Sequence, residues 1–206
     1  MVKEKVKTKI AVLVSGGGTN IQSLLDACAD GKLPHGEIVT VISDKAGVYA
    51  LERAKTAGVN AVLCNKKAYP SKSEFEAAVL SELDKAGAEL IVLAGFLSIL
   101  SEDFVKRYPR RIINVHPSLI PSFCGDGFYG LKVHEAALAR GVKLTGATVH
   151  FVDEITDGGE IILQKAVKVL KGDTAEILQK RVMKQAEHVI LPKAVELTAK
   201  RIAYGK

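Results

Sequence analysis

The sequence has little of what several classes of protein require. It contains no tryptophan, only three cysteines and no apolar run long enough to cross a bilayer. Cys28, Cys64 and Cys124 lie far apart and form no Cys-x-x-Cys pair, so a tetrahedral zinc site of ordinary spacing is not expected. An odd, dispersed set of thiols is typical of the reducing cytosol. We therefore expect a cytoplasmic protein without a metal site or a membrane segment.

The sequence also lacks a clustered basic segment and the aromatic residues that nucleic acid binding favours. Its net charge of +6 comes from lysines and arginines scattered along the chain, with only six phenylalanines and five tyrosines beside them. Such a charge suits phosphate or carboxylate ligands, and nucleic acid is not expected as a partner. The first nine residues are charged and contain no apolar core, so they predict a short basic arm rather than a secretion signal.

Apolar runs alternate with amphipathic stretches from residue 10 to residue 116. The short runs are typical of buried parallel strands, and the stretches between them are typical of helices. The alternation predicts an α/β fold with a Rossmann-like, mostly parallel sheet and helices on both faces. The length and the 48% of hydrophobic residues fit a single domain over residues 1–206. The predicted strands are 10–14, 38–42, 60–63, 90–94 and 112–116, and the predicted helices are 19–29, 50–57, 71–86 and 102–107.

Capping residues and a change of pattern complete the prediction. Thr19 or Asn20 is expected to cap the first helix, and Ser71 or Ser73 the third. After residue 140, the runs 144–152 and 160–170 predict a long antiparallel hairpin around the turn 153–159. Residues 173–176 then resemble a helix cap and predict one final helix that ends near Arg201.

A glycine-rich loop follows the first predicted strand and opens the first predicted helix. It reads Ser15-Gly16-Gly17-Gly18-Thr19-Asn20. Glycines let a ligand approach the backbone closely, and free amides at a helix start attract phosphate. Ile21 stands where a dinucleotide fingerprint needs its third glycine, and no Gly-Lys-Ser/Thr follows as in a P-loop. The loop therefore predicts a phosphate site in preference to a plain strand-to-helix turn.

Asn114 and His116 lie two residues apart on the fifth predicted strand, so their side chains share one face. They lie at the carboxyl end of the strand, which is the edge where parallel sheets bind ligands. An Asn amide can donate to a developing oxyanion, and a His can transfer a proton near neutral pH. Local chemistry is equally compatible with two side chains that satisfy loop backbone before Pro117.

Asp157 precedes Gly158-Gly159 in the turn of the predicted hairpin. A carboxylate held there can orient and polarise a nearby imidazole. It can also cap its own turn, and for Asp157 taken alone this second interpretation is favoured.

Longer runs carry a resemblance to a known family. The chain resembles the folate-dependent formyltransferases in INVHPSLIPSF and, further along, in VHFVDEITDGGEIILQ. Within that superfamily it is most similar to the phosphoribosylglycinamide formyltransferases, in IAVLVSGGGTNIQSLLDA and LIVLAGFLSILS. The resemblance covers nearly the whole chain.

The resemblance implies an enzyme of de novo purine (IMP) biosynthesis. It would transfer a formyl group from its co-substrate 10-formyltetrahydrofolate directly to the amine of N1-(5-phosphoribosyl)glycinamide. Asn114 would hold the oxygen of the tetrahedral intermediate, His116 would stabilise that charge and move the proton, and Asp157 would orient His116. His150 would support Asp157 by hydrogen bonds. Neither a metal nor a covalent enzyme intermediate is implied, and the expected partners are small molecules, with the chain as a monomer or homodimer.

The resemblance also implies two binding surfaces. Glu187 would accept hydrogen bonds from the ribose hydroxyls, and the glycine loop would hold the phosphate. The residues implied for the ribonucleotide are Gly16, Gly17, Gly18, Thr19, Asn20, Pro117 and Glu187. The residues implied for the folate are Lys72, Phe96, Leu97, Ser98, Ile99, Leu100, Asn114, Val152, Asp153 and Glu154.

Three positions depart from many relatives. Lys72 stands where relatives often have Arg and can meet the glutamate tail of the folate, but without the bidentate geometry of Arg. Ser98 stands where many relatives have a basic residue, so contact with that tail is expected to be weaker here or to come from another residue. The loop 122–130 is longer than in many relatives, and its glycines predict a mobile lid. Cys124 in this loop is interpreted as an incidental thiol, because no base is paired with it in the sequence and the transfer is direct.

Four alternatives were weighed against this function. Methionyl-tRNA formyltransferases normally carry an additional C-terminal domain and formyltetrahydrofolate deformylases an N-terminal one, and neither is expected here. A noncatalytic folate- or nucleotide-binding module would need the set of Asn114, His116 and Asp157 to be broken. A nicotinamide-dependent dehydrogenase could use Asp44 at the end of the second strand, but the missing third glycine argues against it.

Overall fold

The computed structural model describes residues 7–205, and within them the predicted α/β fold is confirmed. The sheet has seven strands in the order β3-β2-β1-β4-β5-β6-β7. The strands β3, β2, β1, β4 and β5 run parallel to one another. Strand β6 pairs antiparallel with both β5 and β7, as the hairpin prediction requires. The predicted basic arm falls largely on residues 1–6, outside the described residues. The strands are β1 (Thr8–Val14), β2 (Gly36–Ser43), β3 (Asn60–Leu63), β4 (Leu90–Leu93), β5 (Ile112–His116), β6 (Leu144–Phe151) and β7 (Ile161–Lys168).

The interior strand β1 explains why both faces of the sheet are covered. Its side chains alternate between two apolar clusters, because successive residues of a strand point to opposite faces. Ile10 and Val12 join the cluster that includes Leu24 and Leu191, and Leu13 joins the cluster that includes Phe75 and Phe104. A strand buried on both faces reads as a continuous apolar run, which is the pattern that predicted it.

Seven α-helices, a 3₁₀ turn and a π-helical segment connect and cover the strands within residues 7–205. As predicted, the Ser71 hydroxyl caps α3 by accepting from the Glu74 amide, and Gly87 ends α3 in the left-handed region. No helix of the described range is both long enough and apolar enough to cross a bilayer. The helices are α1 (Thr19–Ala29), α2 (Tyr49–Thr56), α3 (Lys72–Ala86), α4 (Glu102–Arg107), α5 (Leu131–Arg140), α6 (Ala175–Val182) and α7 (His188–Ala203), with the 3₁₀ turn at Lys66–Ala68 and the π-helical segment at Met183–Glu187.

The predicted cap of α1 is wrong. Gly18 occupies the N-cap position with φ +75°, and no side chain caps the helix. The two candidate capping side chains bind elsewhere: Asn20 donates to Glu187, and the Thr19 hydroxyl contacts the Met183 sulfur. Tertiary contacts with the end of the chain thus take the place of the local cap.

The prediction of a final helix that opens at residues 173–176 is confirmed, and that helix contains one π-helical segment. Thr174 caps α6 by accepting from the Ile177 amide, while Asp173 binds Arg181 through a carboxylate–guanidinium pair. The π-helical segment Met183–Glu187 then separates α6 from α7. Helix α5 was not predicted, and it follows the loop 122–130.

Candidate active site

A cavity of about 750 Å³ lies at the carboxyl edge of the sheet, beyond the ends of β1, β4 and β5. Parallel sheets commonly bind ligands at this edge, because the strand ends and the helix starts expose backbone groups there. Its walls come from distant parts of the chain: residues 16–20, 94–97, 114–117, 125–130 and 156–157, with Lys45, Ile99, His134, Gln179, Met183 and Glu187.

The glycine loop forms one wall of the cavity. A Cβ atom on Gly16 or Gly17 would meet no atom within 4 Å, so both residues face open space. Gly18 is required for packing, because an added Cβ would lie 2.7 Å from the Ala50 Cβ and its φ is +75°. Two carbonyls hold the loop from behind: that of Gly16 accepts from the Ala50 amide, and that of Gly17 accepts from Arg53. The loop is therefore fixed with its exposed backbone toward the cavity.

The three residues expected to be catalytic converge on the opposite wall. The Asn114 amide nitrogen lies 3.5 Å from Asp157 Oδ1, and His116 Nδ1 lies 3.5 Å from Asp157 Oδ2. His150 Nε2 lies 3.5 Å from Asp157 Oδ1 and 3.3 Å from the Asn114 amide nitrogen. These distances are at the long end for hydrogen bonds, so the side chains are grouped without being locked to one another.

Backbone geometry places Asp157 in this group. Its φ of +55° is unusual for a residue other than glycine, although Asp tolerates it better than most. An added Cβ on Gly159 would lie 1.9 Å from the Phe151 carbonyl oxygen, so only glycine allows the turn to lie this close to β6. Strain of this kind persists where the surrounding structure holds it and is frequent at active sites.

Electrostatics keep Asp157 ionised. Burial by itself would raise the pKa of the Asp157 carboxyl, but hydrogen bonds from His150 and the Gly125 amide and the charges of His116 and His150 outweigh it. The pKa of Asp157 is consequently lowered. The shortest of these contacts is with the Gly125 amide, which donates to Oδ2 at 2.9 Å.

The loop 122–130 covers this wall and contacts His116 directly. His116 Nε2 lies 2.9 Å from the Phe123 carbonyl, and Phe123 has a φ of +53°. With Asp157 at Nδ1, both ring nitrogens of His116 face acceptors. Cys124 contacts the Pro121 carbonyl through its sulfur, and burial followed by the charge of Asp157 raises the pKa of its thiol. A protonated thiol agrees with the interpretation of Cys124 as incidental.

Glu187 lies in the π-helical segment and is only 5% exposed, so it is not the solvent-exposed helical Glu that its sequence context would suggest. Its Oε2 accepts from the Asn20 amide at 2.8 Å, which joins the glycine loop to the end of the chain. Burial raises the pKa of Glu187, although the Asn20 hydrogen bond opposes this. The hydrogen bond between Asn20 and Glu187 therefore places the carboxyl group of Glu187 beside the glycine loop that is predicted to bind phosphate.

The residues expected to hold the folate divide into two groups. Phe96, Leu97 and Ile99 line the cavity beside Asn114, but the side chain of Ser98 is buried and donates to Asp44 instead. Leu100 and Val152 pack against the apolar cluster that includes Phe75, and Lys72 lies 3.8 Å from Glu76. Asp153 accepts from the Ile155 amide, and Glu154 lies 3.6 Å from Lys106. The cavity is therefore not lined by five of the expected folate residues, namely Lys72, Leu100, Val152, Asp153 and Glu154.

Sequence reasoning missed several residues that line the cavity. Lys45, Gln179 and Met183 reach it from three different elements. His134 is fully buried beside it, and neither ring nitrogen has a hydrogen-bond partner among the described residues. Burial, and then the charge of His116, lower the pKa of His134 to about 4, so it is neutral at physiological pH. The sequence did offer one signal for His134: Gly130 and Gly141 bound residues 131–140 on both sides, as glycines often do at the two ends of a helix.

A larger trough of about 920 Å³ lies between α1 and α7. It shares only Thr19 with the cavity at the sheet edge and includes none of Asn114, His116 and Asp157. Size alone therefore does not identify the site, and the convergence of polar groups does. Within residues 7–205, no group of three or more His, Cys, Asp or Glu side chains is arranged to hold a metal ion.

Known proteins are similar to this chain over most of its length. A family model described as formyl transferase matches residues 8–195. The trifunctional purine biosynthetic protein adenosine-3 of Gallus gallus is 47% identical over 195 residues, which are 94% of this chain and 18% of that protein. The chloroplastic phosphoribosylglycinamide formyltransferase of Arabidopsis thaliana is 38% identical over 193 residues, which are 93% of this chain and 65% of that protein. The chain thus spans less than a fifth of the length of the trifunctional relative.

Solved structures are similar over nearly all of the chain. The glycinamide ribonucleotide transformylase 1 of Symbiobacterium toebii superposes with a TM-score of 0.90 at 44% identity, covering 97% of this chain and 91% of that one. The phosphoribosylglycinamide formyltransferase of Brucella melitensis superposes with a TM-score of 0.85 at 41% identity, covering 94% and 96%.

Proposed function

Since the chain belongs to the formyl transferase family, as the resemblance in its sequence predicted, we propose that it formylates the amine of N1-(5-phosphoribosyl)glycinamide with 10-formyltetrahydrofolate. The names of its relatives support this acceptor and its place in de novo purine biosynthesis. We further propose that residues 1–206 act as one formyltransferase domain on small-molecule substrates, since both apolar clusters pack on the same sheet.

One observation carries the proposal: Asn114, His116 and Asp157 converge on one wall of a cavity whose other wall is the exposed glycine loop. The arrangement suits a reaction between a phosphorylated acceptor held by backbone amides and a donor whose carbonyl lies beside Asn114. A noncatalytic binding module would not need a carboxylate held in a strained turn beside two imidazoles.

In this mechanism the residues stabilise charge and move one proton. The acceptor amine attacks the formyl carbon on N10 of the folate, and the carbonyl oxygen becomes negatively charged. Asn114 donates from its amide to that oxygen, for which its long contacts with Asp157 and His150 leave it free to reorient. His116 stabilises the same charge and passes to the departing N10, through Nε2, the proton that the attacking amine loses, once the loop 122–130 has moved the Phe123 carbonyl away from that nitrogen.

Asp157 and His150 support that transfer from behind. Asp157, which its neighbours keep ionised, orients His116 through Nδ1 and helps to remove the proton from the attacking amine. The His150 Nδ1 lies 2.8 Å from the Phe151 carbonyl, an acceptor, so Nδ1 carries a proton and Nε2 faces Asp157 and Asn114. His150 thereby fixes the position of Asp157 without contact with the reacting atoms.

The two substrates occupy different ends of the cavity in this proposal. Gly16–Asn20 hold the phosphate, and Glu187 accepts from the ribose hydroxyls. Phe96, Leu97 and Ile99 line the pocket for the pterin ring, while Lys72, Asp153 and Glu154 can contribute only beyond the cavity wall.

A direct assay tests the proposed function. Purified protein is incubated with 10-formyltetrahydrofolate, with and without glycinamide ribonucleotide, and tetrahydrofolate is followed. We expect product only when the ribonucleotide is present. Equal product in both reactions would identify a hydrolase of the same donor, and no product in either would refute the proposed acceptor.

We expect Glu187→Gln to weaken ribonucleotide binding and yet stabilise the free protein. Because burial raises the pKa of Glu187, the folded state binds its proton more tightly than the unfolded state, so this residue's contribution to stability falls as the pH rises through the raised pKa. Gln cannot ionise, so the gain in Tm should be larger at pH 8 than at pH 5. The KM for the ribonucleotide should rise about tenfold, as for one lost charged hydrogen bond.

Glu135→Gln, at an exposed position of α5, is the matched control and should change neither quantity. Equal gains in Tm at both pH values, or an unchanged KM for the ribonucleotide, would contradict the role given to Glu187.

A further inference from the structure

We propose that Asp44, together with Ser15, is a positioning residue for the cavity segment, which we define as residues 95–100. Both hold the segment so that Leu97 and Ile99 face the bound folate, and this inference rests on the proposed function. Asp44 does not need a dehydrogenase cofactor as its partner, because its carboxylate accepts a hydrogen bond from the Ser98 hydroxyl.

Three hydrogen bonds join the cavity segment to the ends of β1 and β2. The Leu97 amide donates to the Ser15 hydroxyl oxygen at 2.9 Å, and the Ser15 amide donates to the Gly95 carbonyl at 3.2 Å. The Ser98 hydroxyl donates to Asp44 Oδ2 at 2.8 Å. The side chains of Ser15, Asp44 and Ser98 are all buried, so water competes little for these hydrogen bonds.

The inward side chain of Ser98 determines where its neighbours point. Ser98 is 8% exposed, whereas Leu97 is 53% and Ile99 is 65% exposed. The chain bends at Ser98, and with its side chain anchored inward Leu97 and Ile99 on either side of it remain outward. Both of them line the cavity. Large apolar side chains held open in this way provide the surface that a flat heterocycle can bury.

The acceptor at the base of the segment is well fixed. The Asp44 amide donates to the Val14 carbonyl, and the Asp44 carbonyl accepts from the Lys66 amide at 3.0 Å. Its carboxylate is 3% exposed, and Oδ1 has no hydrogen-bond partner among the described residues. A buried carboxylate with one free oxygen is unfavourable for stability alone. What it supplies is a fixed, buried oxygen acceptor for the Ser98 hydroxyl.

Ser98→Ala in the full chain tests the proposal by separating the two substrates. We expect the KM for 10-formyltetrahydrofolate to rise about tenfold, while the KM for the ribonucleotide stays within about twofold. Asp44→Ala should give the same change, and the double variant should be no worse than either single variant, because both remove one interaction. Asp44→Asn keeps an oxygen acceptor for Ser98 and should retain most of the affinity.

Amide hydrogen exchange provides a readout that does not depend on turnover. In the free protein, Ser98→Ala should speed exchange over residues 95–100 and leave exchange in β1 unchanged. If the wild-type chain turned over no folate, the proposed function would fall while this measurement still tested the anchoring. An unchanged KM for the folate, an equal rise of both KM values, or unchanged exchange over residues 95–100 would overturn the proposal. Should Asp44→Ala not fold, Ser98→Ala and Asp44→Asn decide the question.

Discussion

Replacing His116 by alanine is expected to lower kcat by about a thousandfold or more, as for the loss of proton transfer together with charge stabilisation. His116 is the one imidazole whose two nitrogens reach both Asp157 and the loop 122–130. Its side chain borders the cavity but is only 5% exposed, so truncation also removes buried contacts and should lower the free energy of unfolding by about 1 to 3 kcal/mol. Denaturation by urea would measure this loss alongside single-turnover kinetics.

His35→Ala is the control for this variant. His35 binds Glu196 outside the cavity, so its loss should affect stability without a comparable loss of turnover. Near-normal turnover by His116→Ala would remove His116 from the mechanism. A large loss of stability would instead mean that the lower rate reports unfolding.

Asp157→Asn is expected to have the second largest effect, a fall in kcat of about a hundredfold or more with little change in either KM. An amide can still accept from the Gly125 amide, but it carries no charge to stabilise a protonated His116. Because the pKa of Asp157 is lowered, the wild-type carboxylate is ionised throughout the neutral range. The loss in kcat should therefore be the same at pH 6 and pH 9, and a pH–rate profile of both proteins measures it.

Stability gives an independent check of the same charge. A carboxyl whose pKa is lowered by folding stabilises the folded state above its ordinary pKa, and that contribution is lost as the pH falls through the lowered value. The difference in unfolding free energy between wild type and Asp157→Asn should thus be present at pH 7 and shrink in strong acid. Asp30→Asn, at an exposed surface position, is the control. A kcat that recovers in Asp157→Asn at high pH would contradict the role of the charge.

The sequence allowed the fold to be predicted because its signals are local. The strands from residue 10 to residue 116 are short apolar runs bounded by glycines and polar residues, so their periodicity is visible without knowledge of their partners. Asn114 and His116 could be placed on one face by their spacing alone. Their link to Asp157 could not, because it depends on the pairing of β5 with β6, and only the family resemblance predicted it.

The features that were missed depend on contacts between distant parts of the chain. The Asn20 side chain does not cap α1, because Glu187 binds it from 167 residues away. The inward direction of Ser98 depends on Asp44 at the end of another strand. Such contacts have no signature within a short window of sequence.

The number of residues in the π-helical segment matters to function as well as their identity, because this number sets how α6 is rotated relative to α7. The buried residues Val182, Ala186 and Ile190 recur every four positions. In an ordinary α-helix this interval overshoots a full turn by about 40°, whereas the wider turn absorbs the excess. Deleting one residue from Met183–Glu187 would rewind the segment and rotate Gln179 away from its present direction relative to α7. A deletion here would therefore change the lining of the cavity, whereas a deletion in an exposed surface loop would not.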